Sequence, residues 1–301
     1  MDIVLGSPRG FCAGVVRAID IVELALERLG KPIYIRHEII HNQFIVNDLA
    51  NKGAIFVDEL SEVPDGNVVI FSAHGVSPSV RAEADLRGLK ILDATCPLVT
   101  KVHVEAKKYA GEGFTIVLVG HKGHPETIGT AGEAPSKTIV VETQADIEGL
   151  EVPNPEKVVV LTQTTLSVDD TREIVDSLRL RFPNLVVRND ICYATSNRQM
   201  TAKLVAEDAD CVLVIGAKNS SNSNRLKEVV QELGIPSYLI GGPEEIPSEL
   251  LQSEGKIGIV SGASTPEILV QRVIRELKPK NIFKVRIVDE DIKFALPSEL
   301  T

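Results

Sequence analysis

The sequence predicts an α/β protein built from three related α/β units. Short runs of β-branched residues alternate with amphipathic stretches along the whole chain, a pattern typical of α/β layers with mostly parallel sheets. Three cysteines, Cys12, Cys96 and Cys192, are separated by 84 and 96 residues. A chemically distinctive residue that recurs at such intervals indicates an internal repeat of about 85–100 residues.

The individual elements follow from hydrophobic periodicity. The predicted strands are short β-branched runs at residues 33–35, 68–71, 115–119, 158–161, 212–215 and 256–260. The predicted helices are amphipathic stretches at residues 15–29, 102–109, 168–181, 198–207 and 224–233. Each of the three cysteines follows a strand-like segment (3–5, 91–93 or 186–188) and leads into a helix. We therefore expect units at 1–95, 96–190 and 191–280, with a C-terminal tail at 281–301.

Composition restricts the class of protein. Of the 301 residues, 44% are hydrophobic and 25% are charged, which is the balance of a globular protein too long for one ordinary core. No apolar run approaches the roughly 20 residues that span a bilayer, and no signal-like segment opens the chain, so we expect a cytoplasmic protein that does not bind membranes. We also expect it to be a monomer. The net charge of −10 and the absence of tryptophan argue against nucleic acid as a partner.

Polar residues recur at fixed distances from the cysteines. His41, His124 and Ser220 lie 28 or 29 residues after the preceding cysteine, and second polar clusters follow at 72–75, 163–165 and 261–264. In parallel sheets, ligands bind just beyond the carboxyl ends of the strands. If the three units surround an approximate threefold axis, all of these groups converge on one central cavity.

The cysteines themselves indicate a metal cluster. A cysteine at a helix start lies where the helix dipole favours a thiolate, and three thiolates are soft ligands that suit an iron–sulfur cluster. With three protein ligands, one iron of a four-iron cluster stays open and can act as a Lewis acid. Buried structural cysteines and a Cys₃His zinc site are the alternatives. Cys211 lies inside an apolar strand, and we expect it to be a core residue.

The polar residues near the cysteines are mostly neutral hydrogen-bond donors, which suits an anionic ligand. They are His41, His74, His124, Thr164, Thr165, Ser220, Ser221, Asn222 and Ser264. The helices after Asn222 and Ser264 would offer N–H groups to phosphate oxygens, and the sequence has no phosphate loop of the nucleotide hydrolases. For residues 220–224 the alternative is a turn and helix cap. His37, His103 and His121 fall outside the repeat, and we assign them no chemistry.

Glu126 is the one carboxylate in these clusters with a catalytic position. Pro125 fits the first position of a helix, so Glu126 would project from the first helical turn. A carboxyl group within one hydrogen bond of a departing hydroxyl could protonate it. The alternative role is electrostatic complementation of the helix dipole.

These motifs together resemble the 4-hydroxy-3-methylbut-2-enyl diphosphate reductase family, over residues 4 to about 275. The matching segments are Pro8-Arg9-Gly10-Phe11-Cys12-Ala13-Gly14-Val15, His41-Asn42, Ser72-Ala73-His74-Gly75-Val76, Asp93-Ala94-Thr95-Cys96-Pro97, Gly123-His124-Pro125-Glu126, Gln163-Thr164-Thr165-Leu166-Ser167, Asp190-Ile191-Cys192-Tyr193-Ala194-Thr195, Lys218-Asn219-Ser220-Ser221-Asn222-Ser223-Asn224 and Gly262-Ala263-Ser264. The chain departs from the family pattern after Glu126, with Thr127, Ile128 and Glu133 in place of Val, an acidic residue and Gln.

The resemblance implies a trefoil of three α/β units around one 4Fe-4S cluster that Cys12, Cys96 and Cys192 hold. It implies reductive dehydroxylation of 4-hydroxy-3-methylbut-2-enyl diphosphate to isopentenyl and dimethylallyl diphosphates, the last step of the methylerythritol phosphate route to isoprenoids. Ferredoxin or flavodoxin would supply the electrons.

The resemblance also implies roles for the polar residues. Those that match diphosphate-binding positions are His41, His74, His124, Ser220, Ser221, Asn222 and Ser264. Glu126 matches the proton-relay acid and Thr164 its partner near the substrate hydroxyl. We also expect His124 to take part in catalysis and Thr164 and Thr165 to bind the substrate. Two rival interpretations are a hydro-lyase that uses the same open iron without net reduction and a non-enzymatic redox sensor.

Overall fold

The structure, a computed structural model, describes residues 1–252 and 254–301. Its strands are β1 (Asp2–Ser7), β2 (Ile33–Arg36), β3 (Ala54–Val57), β4 (Val68–Phe71), β5 (Lys90–Asp93), β6 (Thr115–Val119), β7 (Thr138–Val141), β8 (Val158–Thr162), β9 (Val186–Val187), β10 (Cys211–Ile215), β11 (Ser237–Ile240), β12 (Lys256–Ser261) and β13 (Ile282–Arg286). Its α-helices are α1 (Ala13–Arg28), α2 (Gln43–Lys52), α3 (Pro78–Leu86), α4 (Pro97–Gly111), α5 (Pro125–Ala131), α6 (Gln144–Glu148), α7 (Val168–Arg181), α8 (Tyr193–Ala206), α9 (Ser221–Glu232), α10 (Ser248–Leu251) and α11 (Glu267–Leu277).

These strands form three sheets in which every pairing is parallel. The first sheet has the order β3-β2-β4-β5, the second has β7-β6-β8-β9, and the third has β11-β10-β12-β1-β13. The first four strands of each sheet share one arrangement. The first strand after each cysteine, which is β2, β6 or β10, occupies the second position in its sheet, between the next two strands of the chain. The predicted α/β class with three related units is confirmed.

Strand membership differs from the predicted boundaries at both ends of the chain. Strand β1 pairs with β12, with Ile3 opposite Ile257, so the N-terminal strand completes the third sheet rather than the first. Strand β13, in the predicted tail, pairs with the other edge of β1. Parallel pairing joins segments far apart in sequence and leaves no local signal of its partner. The boundaries at 95, 190 and 280 stay a prediction.

Two compact units account for the chain. The terminal unit comprises residues 1–15, 41–43 and 192–293 and contains the third sheet. The middle unit comprises residues 16–40, 44–191 and 294–301 and contains the first and second sheets.

Burial on both faces explains why the central strands read as continuous apolar runs. In β1, Ile3 and Leu5 pack on one side with the apolar face of α11, whereas Val4 packs on the other side with residues of α8 and α9. Alternate side chains of a strand point to opposite faces, so covering both faces with helices requires apolar residues throughout. Strands β6, β8 and β10 are buried along their whole length for the same reason.

Several helices begin earlier than periodicity predicts. Helices α4, α8 and α9 start at Pro97, Tyr193 and Ser221, three to five residues before the predicted starts. Their first turns are polar or contain proline, so they add nothing to an apolar stripe although they are helical. The earlier starts place Cys96, Cys192 and Ser220 directly at N-cap positions. Of the helices in the described ranges, none has the length and apolar character needed to cross a membrane.

Candidate active site

In the terminal unit, three predicted site residues follow neighbouring strands of the third sheet. Cys12 comes after β1, Ser220 after β10 and Ser264 after β12. Because β10, β12 and β1 are adjacent and parallel, their carboxyl ends meet at one edge of the sheet. The backbone N–H of Cys12 donates to the carbonyl of Ala263 at 3.1 Å, which ties the cysteine loop to the loop that carries Ser264.

The start of α9 lies very close to this edge. The Ser220 hydroxyl oxygen accepts a hydrogen bond from the Ser223 N–H at 3.3 Å, so the helix-cap role considered for this segment is confirmed for Ser220. A hydroxyl that accepts one bond still has a hydrogen to donate to a ligand. A Cβ at Gly216 or Gly262 would lie 2.2 Å from the Ser223 oxygen, so only glycine allows this close packing.

Asn222 is the buried polar group whose position most directly indicates a ligand. Its side chain is 4% exposed, and within the described residues neither its amide nitrogen nor its amide oxygen has a hydrogen-bond partner. A buried amide without partners costs about 1–3 kcal/mol, so native proteins usually satisfy it with a ligand or water.

The 41–43 segment belongs to the same unit. The Ser264 hydroxyl donates to the carbonyl oxygen of His41 at 3.1 Å, and the Asn219 amide nitrogen lies 3.5 Å from Nδ1 of His41. His41 and Ser264, which are 223 residues apart in sequence, are therefore in contact as the repeat predicts, and Asn219 lies beside them.

Two of the three predicted cluster ligands also lie in the terminal unit. Sγ of Cys192 accepts a hydrogen bond from the Thr195 N–H at 3.4 Å at the start of α8. The hydroxyl oxygen of Tyr193 accepts one from the Ala13 N–H at 3.3 Å. Burial raises the pKa of Tyr193 to about 12, and negative charge on Cys12, Glu290 and Cys192 adds to the rise. The hydrogen bond from Ala13 thus joins the residue after Cys12 to the residue after Cys192.

A buried ion pair holds α8 in place behind these cysteines. Arg198 is 1% exposed and donates to both carboxylate oxygens of Glu290 at 3.0 and 3.1 Å. It also donates to the carbonyl oxygen of Gly10 at 2.9 Å, in the loop that carries Cys12. Glu290 lies in the predicted tail, for which sequence reasoning found no role.

In the middle unit, the remaining site residues also follow strands. His74 and Cys96 come after the neighbouring strands β4 and β5, whereas His124 and Thr164 come after the neighbouring strands β6 and β8. The rings of His74 and His124 make an edge-to-face contact with centroids 5.6 Å apart. The carboxyl edges of the first and second sheets therefore meet at this pair of histidines.

Hydrogen bonds fix both rings. Nδ1 of His74 lies 3.1 Å from the Ser72 hydroxyl. Nδ1 of His124 accepts from the Glu126 N–H at 3.2 Å, which makes His124 the N-cap of α5. In this neutral form, Nε2 of His124 carries the hydrogen and can donate to an anion.

Glu126 lies in the first turn of α5, as Pro125 predicts. Its side chain is 4% exposed, and Oε1 accepts a hydrogen bond from the backbone N–H of Thr164 at 2.6 Å. Glu126 and Thr164, which the family resemblance pairs, are thus in direct contact. A short bond of this kind, in which the acceptor is a carboxylate, is stronger than one between neutral groups and fixes the carboxyl group in orientation.

Gln163 organises the loop that carries Thr164 and Thr165. It is 2% exposed, its amide nitrogen donates to the Thr165 hydroxyl at 2.8 Å, and its oxygen accepts from the His121 N–H at 3.0 Å. The oxygen also accepts from the Thr127 hydroxyl at 3.2 Å. The sequence assigns no role to Gln163, although it belongs to the motif that contains Thr164. Its position between two threonines was the only sequence feature that could have indicated a hydrogen-bonding role.

The segment before Cys96 is anchored by charge. Arg17 donates to the carbonyl oxygens of Thr95 and Asp93 at 3.0 and 3.3 Å. Burial opposes ionisation of Asp93, but hydrogen bonds from Thr95 and the ion pair with Arg81 outweigh it and hold the pKa of Asp93 below its ordinary value. The N–H of Cys96 donates to the Ala73 carbonyl at 3.0 Å, beside His74.

The donor set fits an iron–sulfur cluster. Cys12, Cys96 and Cys192 are half-buried thiols outside any disulfide, and each directly precedes a helix. Cys211 is buried in β10, and burial raises the pKa of its thiol to about 11, as a core residue requires. Across residues 1–252 and 254–301, no three His, Cys, Asp or Glu side chains are grouped closely enough to hold a single metal ion. Ligands of a cluster bind separate irons and need no such grouping.

The fold and the site together define an α/β protein of three parallel sheets, with thiols and neutral hydrogen-bond donors at the carboxyl ends of the strands. Residues 3–278 match the family model described as LytB protein. The chain belongs to the LytB family, whose members are iron–sulfur proteins.

Individual relatives agree. The chain is 54% identical over 304 residues to the 4-hydroxy-3-methylbut-2-enyl diphosphate reductase of Azoarcus sp. (strain BH72), covering 99% of this chain and 97% of the relative. It is 52% identical to the reductase of the same name from Pseudomonas putida (strain GB-1), covering 100% and 98%. The solved structure of E-1-hydroxy-2-methyl-but-2-enyl-4-diphosphate reductase from Plasmodium falciparum is 39% identical, with a TM-score of 0.96 over 99% of this chain and 96% of that one.

Proposed function

We propose that this chain is a 4-hydroxy-3-methylbut-2-enyl diphosphate reductase. The observation that carries the proposal is the 54% identity, along almost the full length of both chains, to a relative of that name. The reaction removes the allylic hydroxyl as water, consumes two electrons and two protons, and yields isopentenyl or dimethylallyl diphosphate.

The proposed cofactor is one 4Fe-4S cluster per chain, held by Cys12, Cys96 and Cys192. The support is that these three thiols share one setting, half-buried and directly before a helix, where the dipole favours the thiolate. When bound, such a cluster would supply electrons and a Lewis-acidic iron for loss of the hydroxyl group.

The diphosphate is proposed to bind the polar residues at the carboxyl ends of the strands. Neutral donors and helix N–H groups suit a phosphate oxygen, and the unpartnered amide of Asn222 supports this assignment. The proposed diphosphate-binding residues are His41, His74, His124, Ser220, Ser221, Asn222 and Ser264. Thr165 is proposed to contribute a hydroxyl from the same loop as Thr164.

Glu126 is proposed to move the proton that accompanies loss of the hydroxyl group. The Thr164 N–H holds one carboxyl oxygen at 2.6 Å, so the carboxyl group is fixed before substrate arrives. Thr164 would then orient the substrate hydroxyl, and His124, which caps the same helix turn, would assist as a donor. With 4% exposure, Glu126 is shielded from bulk water that would otherwise exchange its proton.

The remaining expectations also form part of the proposal. A small ferredoxin or flavodoxin supplies electrons, the chain acts as a monomer, and its site of action is the cytoplasm. Neither nucleic acid nor a membrane surface is needed for the reaction.

The test is a purification without oxygen, followed by measurement of iron, absorbance and hydroxyl loss from the allylic diphosphate with and without a strong reductant. About four irons per chain, a broad charge-transfer band and turnover that depends on reductant would support the proposal. Turnover without reductant would indicate the hydro-lyase instead, and a cluster without turnover would favour the redox sensor.

A further inference from the structure

His103, which lies outside the threefold repeat, occupies a central position in the middle unit. It projects from α4, the helix that begins at Cys96, and its side chain is 8% exposed. Nδ1 lies 2.8 Å from a carboxylate oxygen of Glu133, just beyond the end of α5. A side chain of the cysteine helix is thereby bonded to the segment that follows the helix of Glu126.

The ring fills the space between two functional segments. A Cβ at Gly75 would lie 3.0 Å from Nε2 of His103, and one at Gly129 would lie 3.2 Å from its Cε1. Gly75 directly follows His74, and Gly129 is one helical turn after Glu126. A Cβ at Gly129 would also lie 3.4 Å from the Gly75 carbonyl carbon, so the two backbones and the ring pack against one another.

The hydrogen-bonding pattern indicates how the ring is oriented. Nε2 is buried and has no hydrogen-bond partner within the described residues, whereas Nδ1 faces Glu133. An N–H at the buried position would be left unsatisfied, so we assign the hydrogen to Nδ1, where it is donated to the carboxylate. The unprotonated Nε2 edge of the ring then faces the two glycines, where an added Cβ would crowd it.

We propose that His103 is a positioning residue, which sets the spacing between the His74 loop and the Glu126 helix and relates both to the helix of Cys96. Glu133 fixes the rotation of the ring. This proposal rests on the proposed function, because it assigns the two segments their roles in the reaction. It follows that His103 acts on turnover without touching the substrate.

The test uses three variants of the intact protein with cluster bound. Glu133→Gln keeps an acceptor for Nδ1–H, Glu133→Leu removes it but leaves the ring, and His103→Asn keeps a donor near Nδ1 but vacates the ring space. Ile128→Ala is the matched control, since Ile128 is on α5 but 56% exposed. The measurements are kcat, KM for the diphosphate, iron per chain, and amide hydrogen exchange at residues 72–77 and 125–131.

We expect Glu133→Gln and the control to stay within about twofold of the parent in kcat/KM. Glu133→Leu and His103→Asn should lower kcat and raise KM together, by about tenfold in kcat/KM, because the ring touches a binding segment and a proton-transfer segment. Exchange should accelerate at residues 72–77 and 125–131 in these two variants, with iron content unchanged.

Normal kinetics and normal exchange in Glu133→Leu would overturn the proposal. A loss of turnover that merely parallels loss of iron, with exchange accelerated throughout the chain, would also overturn it and leave His103 as ordinary packing. If the parent protein itself fails to turn over the diphosphate, the proposed function falls. The local exchange pattern still decides whether His103 joins the two segments.

Discussion

Replacing Glu126 by glutamine distinguishes its proposed role in proton transfer from its structural role as acceptor of the Thr164 N–H. The carboxylate accepts the Thr164 N–H at 2.6 Å and is 4% exposed. The glutamine carbonyl can accept the same bond in the same volume, so the free energy of unfolding should change by less than about 1 kcal/mol. An amide cannot transfer the proton, and general acid catalysis typically contributes about 10²–10⁴ to the rate. We expect kcat to fall within that range.

The assay compares kcat under a chemical reductant with iron per chain and with the midpoint of denaturant unfolding. Glu126→Ala is the contrasting variant, because it leaves the buried Thr164 N–H without an acceptor, which by itself costs about 1–3 kcal/mol. Full iron, unchanged stability and kcat within about tenfold of the parent in Glu126→Gln would refute the role of Glu126 in proton transfer.

Four further changes test the site and its supports. Asn222→Ala should raise KM for the diphosphate by about tenfold without lowering the unfolding midpoint, since the amide bonds nothing in the described chain; an unchanged KM would contradict its assignment. Cys211→Ala should retain full iron, whereas serine at any of the other three cysteines should lose it, as iron analysis would reveal. Arg198→Met should cost about 3–5 kcal/mol in denaturant unfolding because it leaves the largely shielded carboxylate of Glu290 without its cationic partner and with only the Asn197 amide as a side-chain donor; a loss below about 1 kcal/mol would show that the pair is dispensable. The lowered pKa of Asp93 gives stability that is present above its ordinary pKa and lost as pH falls through the lowered value, so Asp93→Asn should be less stable at neutral pH and should lose less stability on acidification below about pH 4. Parallel pH–stability curves for the two proteins would contradict this.

Much of the site could be predicted because its residues follow local rules. His124 precedes a proline that begins a helix, and Glu126 occupies the first turn of that helix, as Pro125 predicts. Ser220 precedes another helix, and the sequence predicts a helix cap there as an alternative to ligand binding. The contact between Glu126 and Thr164 was suggested only by resemblance, since 38 residues and a change of strand separate them.

Supporting residues were missed because their partners are distant in sequence. His103 was set aside, for it obeys no repeat, and its function depends on two glycines brought to it by other elements. Glu290 lies in the C-terminal tail, to which the sequence assigns no role, and only the folded chain shows that it neutralises Arg198. A buried charge pair has no periodicity along the sequence, so pattern reading cannot detect it.

The sequence by itself determined the α/β class, the position of every strand except β3, β7, β11 and β13, and the placement of thiols and polar groups beyond strand ends, because these depend on side-chain periodicity and local backbone preference. The tertiary structure decided that β1 completes the third sheet and that β13 covers its edge. It also brought the Ala13 N–H to the hydroxyl of Tyr193 and placed His103 between Gly75 and Gly129. These outcomes depend on packing between segments far apart in the chain, where hydrophobic burial chooses the partner and no local signal encodes it.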